Sequence, residues 1–163
     1  MLPDLSIDLL ACHPEAVPTL CEWFEAEWPS YYGPEGPGCA RRDLESCTRS
    51  DCLPVGVIAL QAGSLCGFAA LKAESIDTHA HLSPWATSGL VPPALRRRGI
   101  GRQLLAAIEE QAAKLGLERI YCATGTASTL LQRCGWQLIE RVLHEGENLG
   151  VYSKALPRTD RRH

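Results

Sequence analysis

At 163 residues the chain has the length of one domain, expected to span residues 1–163. It is long enough to bury roughly 70% of its unfolded surface without disulfide or metal staples. A net charge of −3 argues against a general nucleic-acid binder, which is usually strongly basic. No segment reaches ~18 uninterrupted apolar residues, so no membrane span is expected. The start Met1-Leu2-Pro3-Asp4 lacks the basic and apolar regions of a secretory leader. Eight cysteines are many for this length, but Cys12, Cys21, Cys66, Cys122 and Cys134 fall inside apolar patterns, where thiols pack as small hydrophobes. Free thiols in a reducing, cytoplasmic setting are the expectation. Cys47-x4-Cys52 and His79-x-His81 are the only metal-like spacings, and without a CxxC pair no metal is expected.

Taken in chain order, Ser6 to Cys12 reads as a first strand. Pro14 suits a helix start, where its missing N–H costs nothing. Val17, Leu20, Cys21, Phe24 and Trp28 then share one helical face until Pro29. The segment from Pro29 to Gly38, with three prolines and three glycines, reads as a loop. A short helix is expected from Ala40 to about Asp51. Pro54–Gln61 and Leu65–Ser75 read as strands joined by a tight Ala62-Gly63-Ser64 turn. Leu82–Val91 is a further strand. Ile100, Leu104, Leu105, Ile108, Ala112 and Leu115 have helical spacing over about four turns. Leu117–Thr124 is a short apolar strand, a helix begins at Ala127–Ser128, and Gln137–Leu143 and Gly150–Leu156 close the chain as strands. The basic tail from Arg158 to His163 is expected to fray. This order gives an α+β fold with a mixed sheet rather than a regular βαβ alternation.

Between the strand at 82–91 and the long helix stands Arg96-Arg97-Arg98-Gly99-Ile100-Gly101. A helix start leaves about four backbone N–H groups without partners, and these with the helix dipole make an anion site. Glycine lets main chain turn sharply and approach the anion. Arginines add planar donors suited to phosphate. The segment reads as a phosphate cradle. It is not a P-loop, because no Gly-Lys-Ser or Gly-Lys-Thr occurs. Nor is it a dinucleotide fingerprint, because Leu104 stands where a small residue is needed.

The pattern that fits is (Q/R)-x-x-G-x-(G/A), carried by Arg96, Gly99 and Gly101. It resembles the acetyl-CoA loop of the GNAT acyltransferase superfamily. Downstream, Thr124, Ala127, Gly135 and Trp136 resemble the family signature N-x-x-A-x-x-L-Y-x-x-x-G-(F/W), with Thr124 at the usual Asn. Leu131 departs from it, standing where the family usually has Tyr. The resemblance covers roughly Ser6 to Leu156. It implies a mostly antiparallel central sheet flanked by helices, with a bulge in the strand at 82–91, which splays from the strand at 118–124. It implies acetyl-CoA as co-substrate, its pantetheine lying in that gap and its pyrophosphate on amides from Arg97 to Arg102, with Arg96, Arg98, Gly99, Ile100 and Gly101 in the same cradle. Thr124, Ala127 and Ser128 would face the thiol end.

The reaction so implied is direct transfer of acetyl to a primary amine of a small molecule or peptide. It needs a base, oxyanion stabilisation and a proton for the leaving thiolate. Backbone N–H groups at Leu90 or Val91 are the oxyanion candidates, since Pro92 and Pro93 have none. No carboxylate lies between Leu82 and Leu95, so the base candidates are Glu25, Glu27, His144, Glu145 and Glu147, with Glu27 and His144 ahead. With Leu131 unable to donate, Tyr31, Tyr32 and Tyr152 are the acid candidates. Trp28, Tyr31 and Tyr32 lie in the region that borders the acceptor in the family. The expected partners are acetyl-CoA and an amine, with no nucleic acid or membrane; a homodimer is compatible. The alternative is a non-catalytic acyl-CoA-binding or sensing module.

Overall fold

In the computed structural model, residues 4–157 are described, and the tail from Arg158 on lies outside them. Seven strands form one sheet in the order β1-β2-β3-β4-β5-β7-β6. They are β1 (Leu5–Leu9), β2 (Val55–Gln61), β3 (Ser64–Lys72), β4 (Trp85–Leu90), β5 (Arg119–Thr124), β6 (Gln137–His144) and β7 (Glu147–Ala155). Every neighbouring pair is antiparallel except β4 and β5. The helices are α1 (Val17–Glu27), α2 (Pro29–Tyr32), α3 (Ala40–Ser46), α4 (Ile100–Lys114) and α5 (Ser128–Arg133).

The helix predicted over Ile100–Leu115 is α4, and its stripe Ile100, Leu104, Leu105, Ile108 and Ala112 is buried against one sheet face. That face contributes Val57, Ala59, Ala69, Ile120 and Tyr152. On the other side of β2 and β3, Ile58, Phe68 and Ala70 meet Leu20 and Phe24 of α1 and Leu44 of α3. The central strands are thus covered on both faces, and β2 reads as a continuous apolar run.

Several boundaries differ from the sequence reading, each for a local reason. Pro14–Ala16 forms a 3-10 turn, and α1 begins only at Val17. Pro29 ends α1 as expected but starts the four-residue α2, so the predicted loop is partly helical. Pro at a first helical turn is compatible with both roles. The two hairpins close on two-residue turns, Ala62-Gly63 and Glu145-Gly146. All four of these residues have positive φ, which matches the twist of paired strands. The second turn makes Glu147 the first residue of β7, paired in register with His144.

The feature that positions the site is the β4–β5 junction. These strands share a single registered pair, Trp85 with Tyr121. The Tyr121 amide donates to Pro84 O at 3.0 Å, and the two rings pack with centroids 5.6 Å apart. Beyond that point the strands part. On the other side of β4, Phe68 pairs with Leu90 and Ala70 with Thr87, so β4 carries one extra residue. That is a β-bulge, centred where Ser88 takes φ +54°.

Candidate functional site

The parting strands enclose a cleft of about 690 Å³. One wall is the bulged end of β4, from Ala86 to Leu90, continuing to Val91. The other is Cys122, Ala123 and Thr124 of β5. Leu104, Leu105 and Ile108 of α4 and Leu130 and Leu131 of α5 form an apolar floor. Such a slot takes an extended chain of mixed polarity between two strands whose facing edges do not pair.

At one end of the cleft lies the start of α4. Gly99 is its N-cap with φ +85°, and Arg97 is also left-handed at φ +65°. No side chain caps this helix, so its first-turn amides are free of side-chain competition. A Cβ on Gly99 would meet nothing within 4 Å, and one on Gly101 would meet only Leu130. The space above both residues is open, as approach by a phosphate requires. The fifteen-residue helix behind it supplies a full dipole. The residues present therefore fit the pyrophosphate of a coenzyme.

Of the sequence-predicted coenzyme residues, Leu90, Val91, Arg96, Arg97, Ile100, Gly101, Thr124 and Ala127 line the cleft. Arg98, Gly99, Arg102 and Ser128 are beside that wall rather than on it. Arg96 is engaged: its Nε donates to Val91 O at 2.8 Å and its Nη2 to Glu27 Oε1 at 3.1 Å. The Thr124 hydroxyl oxygen accepts the amides of Thr126 (3.1 Å) and Ala127 (2.9 Å), holding the turn into α5. Its own proton remains available to a ligand.

The base and acid candidates separate. Glu27 lines the cleft, held by Arg96. Glu147 also lines it, whereas His144 stands outside it beside Glu145, at 4.0 Å. Tyr32 donates to Asp43 Oδ2 at 2.6 Å and lines a second, smaller cavity with Cys21, Glu25 and Arg41. Burial, reinforced by Asp43, pushes its phenol far up, so it stays protonated. Tyr31 is half exposed and packs edge-on against Tyr32. Tyr152 is fully buried in the core, paired with Cys122 across β5 and β7, and its hydroxyl has no hydrogen-bond partner among the described residues. Trp28, of the aromatic loop, does reach the cleft. Leu131 forms part of its floor, with no proton to give.

The sequence reading missed Cys122 as a wall residue. It is enclosed by protein on nearly every side but open to the cleft, and burial pushes its thiol up to about 12. It also missed Ser88, because nothing marks a serine for the left-handed region. Among the described residues no group of three or more His, Cys, Asp or Glu is placed to hold a metal, and no helix is long and apolar enough to cross a membrane.

A bulged strand parting from a parallel neighbour, with a glycine-capped helix start at the open end, defines the class: an α+β fold whose split sheet opens onto an anion-ready helix start. The Acetyltransferase (GNAT) family model matches residues 18–136, and the chain belongs to that family. Solved structures share the fold at low identity. One is an aminoglycoside 6'-N-acetyltransferase complexed with coenzyme A, 15% identical, covering 95% of this chain and 99% of its own, with a TM-score of 0.75. Another is an N-acetyltransferase from Staphylococcus aureus Mu50, 16% identical over 94% and 99%, TM-score 0.74. A third, yncA from Salmonella typhimurium, was solved with its cofactor acetyl-CoA; it is 15% identical over 96% of each chain, TM-score 0.71. No curated protein matches the sequence.

Proposed function

We propose that the chain, as one domain, is an acetyl-CoA-dependent N-acetyltransferase that moves acetyl directly to a primary amine. The observation that carries this is the cleft itself: one cavity runs from the glycine-capped start of α4 to the bulge at Ser88. A coenzyme with its pyrophosphate on the α4 amides can lay its thioester arm between β4 and β5. The acyl carbonyl then meets the bulged stretch, where the backbone N–H of Leu90 or Val91 can stabilise the oxyanion. The amine attacks the carbonyl carbon, the C–S bond breaks, and the sulfur leaves as thiolate, which takes a proton.

Direct transfer is favoured over an acyl-cysteine route. The only thiol on the wall is Cys122, and its raised pKa leaves it almost wholly protonated near neutrality, which suppresses nucleophilicity. Solvent carries the amine's proton with no dedicated base on β4, a route open to general base catalysis through water. The structurally similar acetyltransferases solved with acetyl-CoA or coenzyme A in place support the co-substrate assignment.

The test is release of free thiol from acetyl-CoA on adding a panel of primary amines. Amine-dependent release with a matching acetylated product is expected. Tight coenzyme A binding with no release from any amine would favour the acyl-CoA-sensing reading, for which the donor-less Leu131 is the motivating observation.

A further inference from the structure

The cleft is charged unevenly. Its lining carries four formal charges: Arg96 and Arg97 on the loop before α4, and Glu27 and Glu147. Glu27 is neutralised, because Arg96 bridges it to Val91 O and holds the end of α1 against the loop. Arg97 belongs to the phosphate end. Glu147 is left. Among the described residues its carboxylate has no ion-pair or hydrogen-bond partner. It is also held in place from the backbone. The Glu145-Gly146 turn makes Glu147 the first residue of β7, paired with His144. Its carboxyl carbon lies 3.5 Å from where a Cβ on Gly125 would be, so the side chain leans over the turn leaving β5.

Glu147 is thus an exposed, unpaired carboxylate on a hairpin at the rim of a cleft whose other carboxylate is already satisfied, and such a group attracts a cation. We infer that Glu147 is the specificity-determining residue for the acceptor, holding an ammonium group, and that the acceptor class is an amine with a second positive charge. This rests on the acetyltransferase reading, since the acceptor is taken to enter the same cleft. A carboxylate-bearing amine meets repulsion from Glu147. A singly charged amine with a neutral remainder lacks the second contact. The reacting amine is deprotonated when it attacks, so the cation that Glu147 holds is the other one, and it stays charged throughout.

The experiment has two arms. In the first, kcat and KM are measured for spermidine, benzylamine and glycine with wild type, Glu147→Gln and Glu27→Gln. In wild type kcat/KM is expected to favour spermidine. Glu147→Gln is expected to raise the spermidine KM roughly tenfold, as for loss of one charge-assisted contact. It should leave benzylamine and the affinity for coenzyme A within about twofold. Glu27→Gln should not show that cation-selective change. In the second arm, spermidine binding to the coenzyme A-loaded protein is measured by calorimetry, which needs no turnover. Binding weakened by Glu147→Gln is expected there too. If the second arm holds and the first shows no acetylation, the transferase reading fails while the cation site stands. Equal use of spermidine and glycine by wild type would overturn the inference. So would spermidine binding that Glu147→Gln leaves unchanged, or a cation-selective loss in Glu27→Gln instead.

Discussion

The indole N–H of Trp136 donates to Glu109 Oε2 at 3.1 Å, tying the Gly135–Trp136 turn to the middle of α4. Lys154 of β7 completes the knot, donating to Glu109 Oε1 and to Cys134 O, both at 2.7 Å. One carboxylate thus fastens α4, the end of α5 and β7 behind the cleft floor. Both Glu109 and Lys154 are largely shielded from water, so the pair is less screened than an ion pair at the surface.

Removing that carboxylate strands an indole N–H and an ammonium. Glu109→Ala is expected to destabilise the fold by about 2 kcal/mol, less than breaking a fully buried pair. For a chain of this length that is a melting midpoint lower by roughly 4–8 °C. Glu109→Gln, which can still accept from Trp136, should lose less. Calorimetric melting of the two variants checks this; an unchanged midpoint in Glu109→Ala would show that the knot carries no stability.

Coenzyme A should raise the melting midpoint of wild type. A ligand that binds only the folded state adds about 2.7 kcal/mol at a hundredfold excess over Kd. Gly99→Val should abolish that shift, because a branched side chain would stand where phosphate approaches main chain. The structure adds a second expectation. Gly99 has φ +85° with open space around it, so the valine is strained by conformation rather than by a clash. It should lower stability by about 1–2 kcal/mol in the absence of ligand. A normal coenzyme A shift in Gly99→Val would move the cradle elsewhere.

Much of this was legible in the residues. The α4 stripe, the glycines before it and the Gly135–Trp136 turn are local patterns, and local patterns survive folding. β2 and β3 were legible as strands joined by a tight turn at Ala62-Gly63, though not their burial on both faces. What was not legible depends on long-range pairing. Nothing in the chain says that β7 inserts between β5 and β6, which is what places Tyr152 beside Cys122 in the core rather than on the cleft. The engagement of Arg96 with Glu27 spans 69 positions, and no spacing rule reaches that far. Glu147 looked like a loop residue until the Glu145-Gly146 turn made it part of a strand.

Cys122 gives a pH signature. Burial raises its thiol to about 12 in the fold, against about 8.5 in an unfolded chain. The folded state then holds a proton that the unfolded state has lost. The stabilisation is fully present below about pH 8.5 and fades as pH rises toward 12, with a slope of at most about 1.4 kcal/mol per pH unit for one thiol. Cys122→Val cannot ionise and should lose less stability than wild type between pH 8.5 and 10.5. Denaturant melts across that range would show parallel losses if Cys122 were not responsible.

The final prediction concerns Tyr152 and Leu131. A buried hydroxyl without a partner costs roughly 1–3 kcal/mol, and Tyr152 presents one in the core cluster it shares with Leu131. Removing the hydroxyl with Tyr152→Phe should therefore raise the melting midpoint by a few degrees. Tyr152 is fully buried and does not line the cleft, so kcat should hold. A fall of about 10²–10⁴ in kcat, the usual worth of general acid catalysis, would instead make Tyr152 the donor that Leu131 cannot be. Leu131→Tyr is the complementary test, because it returns a phenol to the cleft floor itself. It should raise kcat if the thiolate leaves unassisted in wild type. A thiol of pKa ~8.5 is a tolerable leaving group, so wild type still turns over without that help. An inert Leu131→Tyr together with an unimpaired Tyr152→Phe would mean that protonation of the thiolate does not limit turnover.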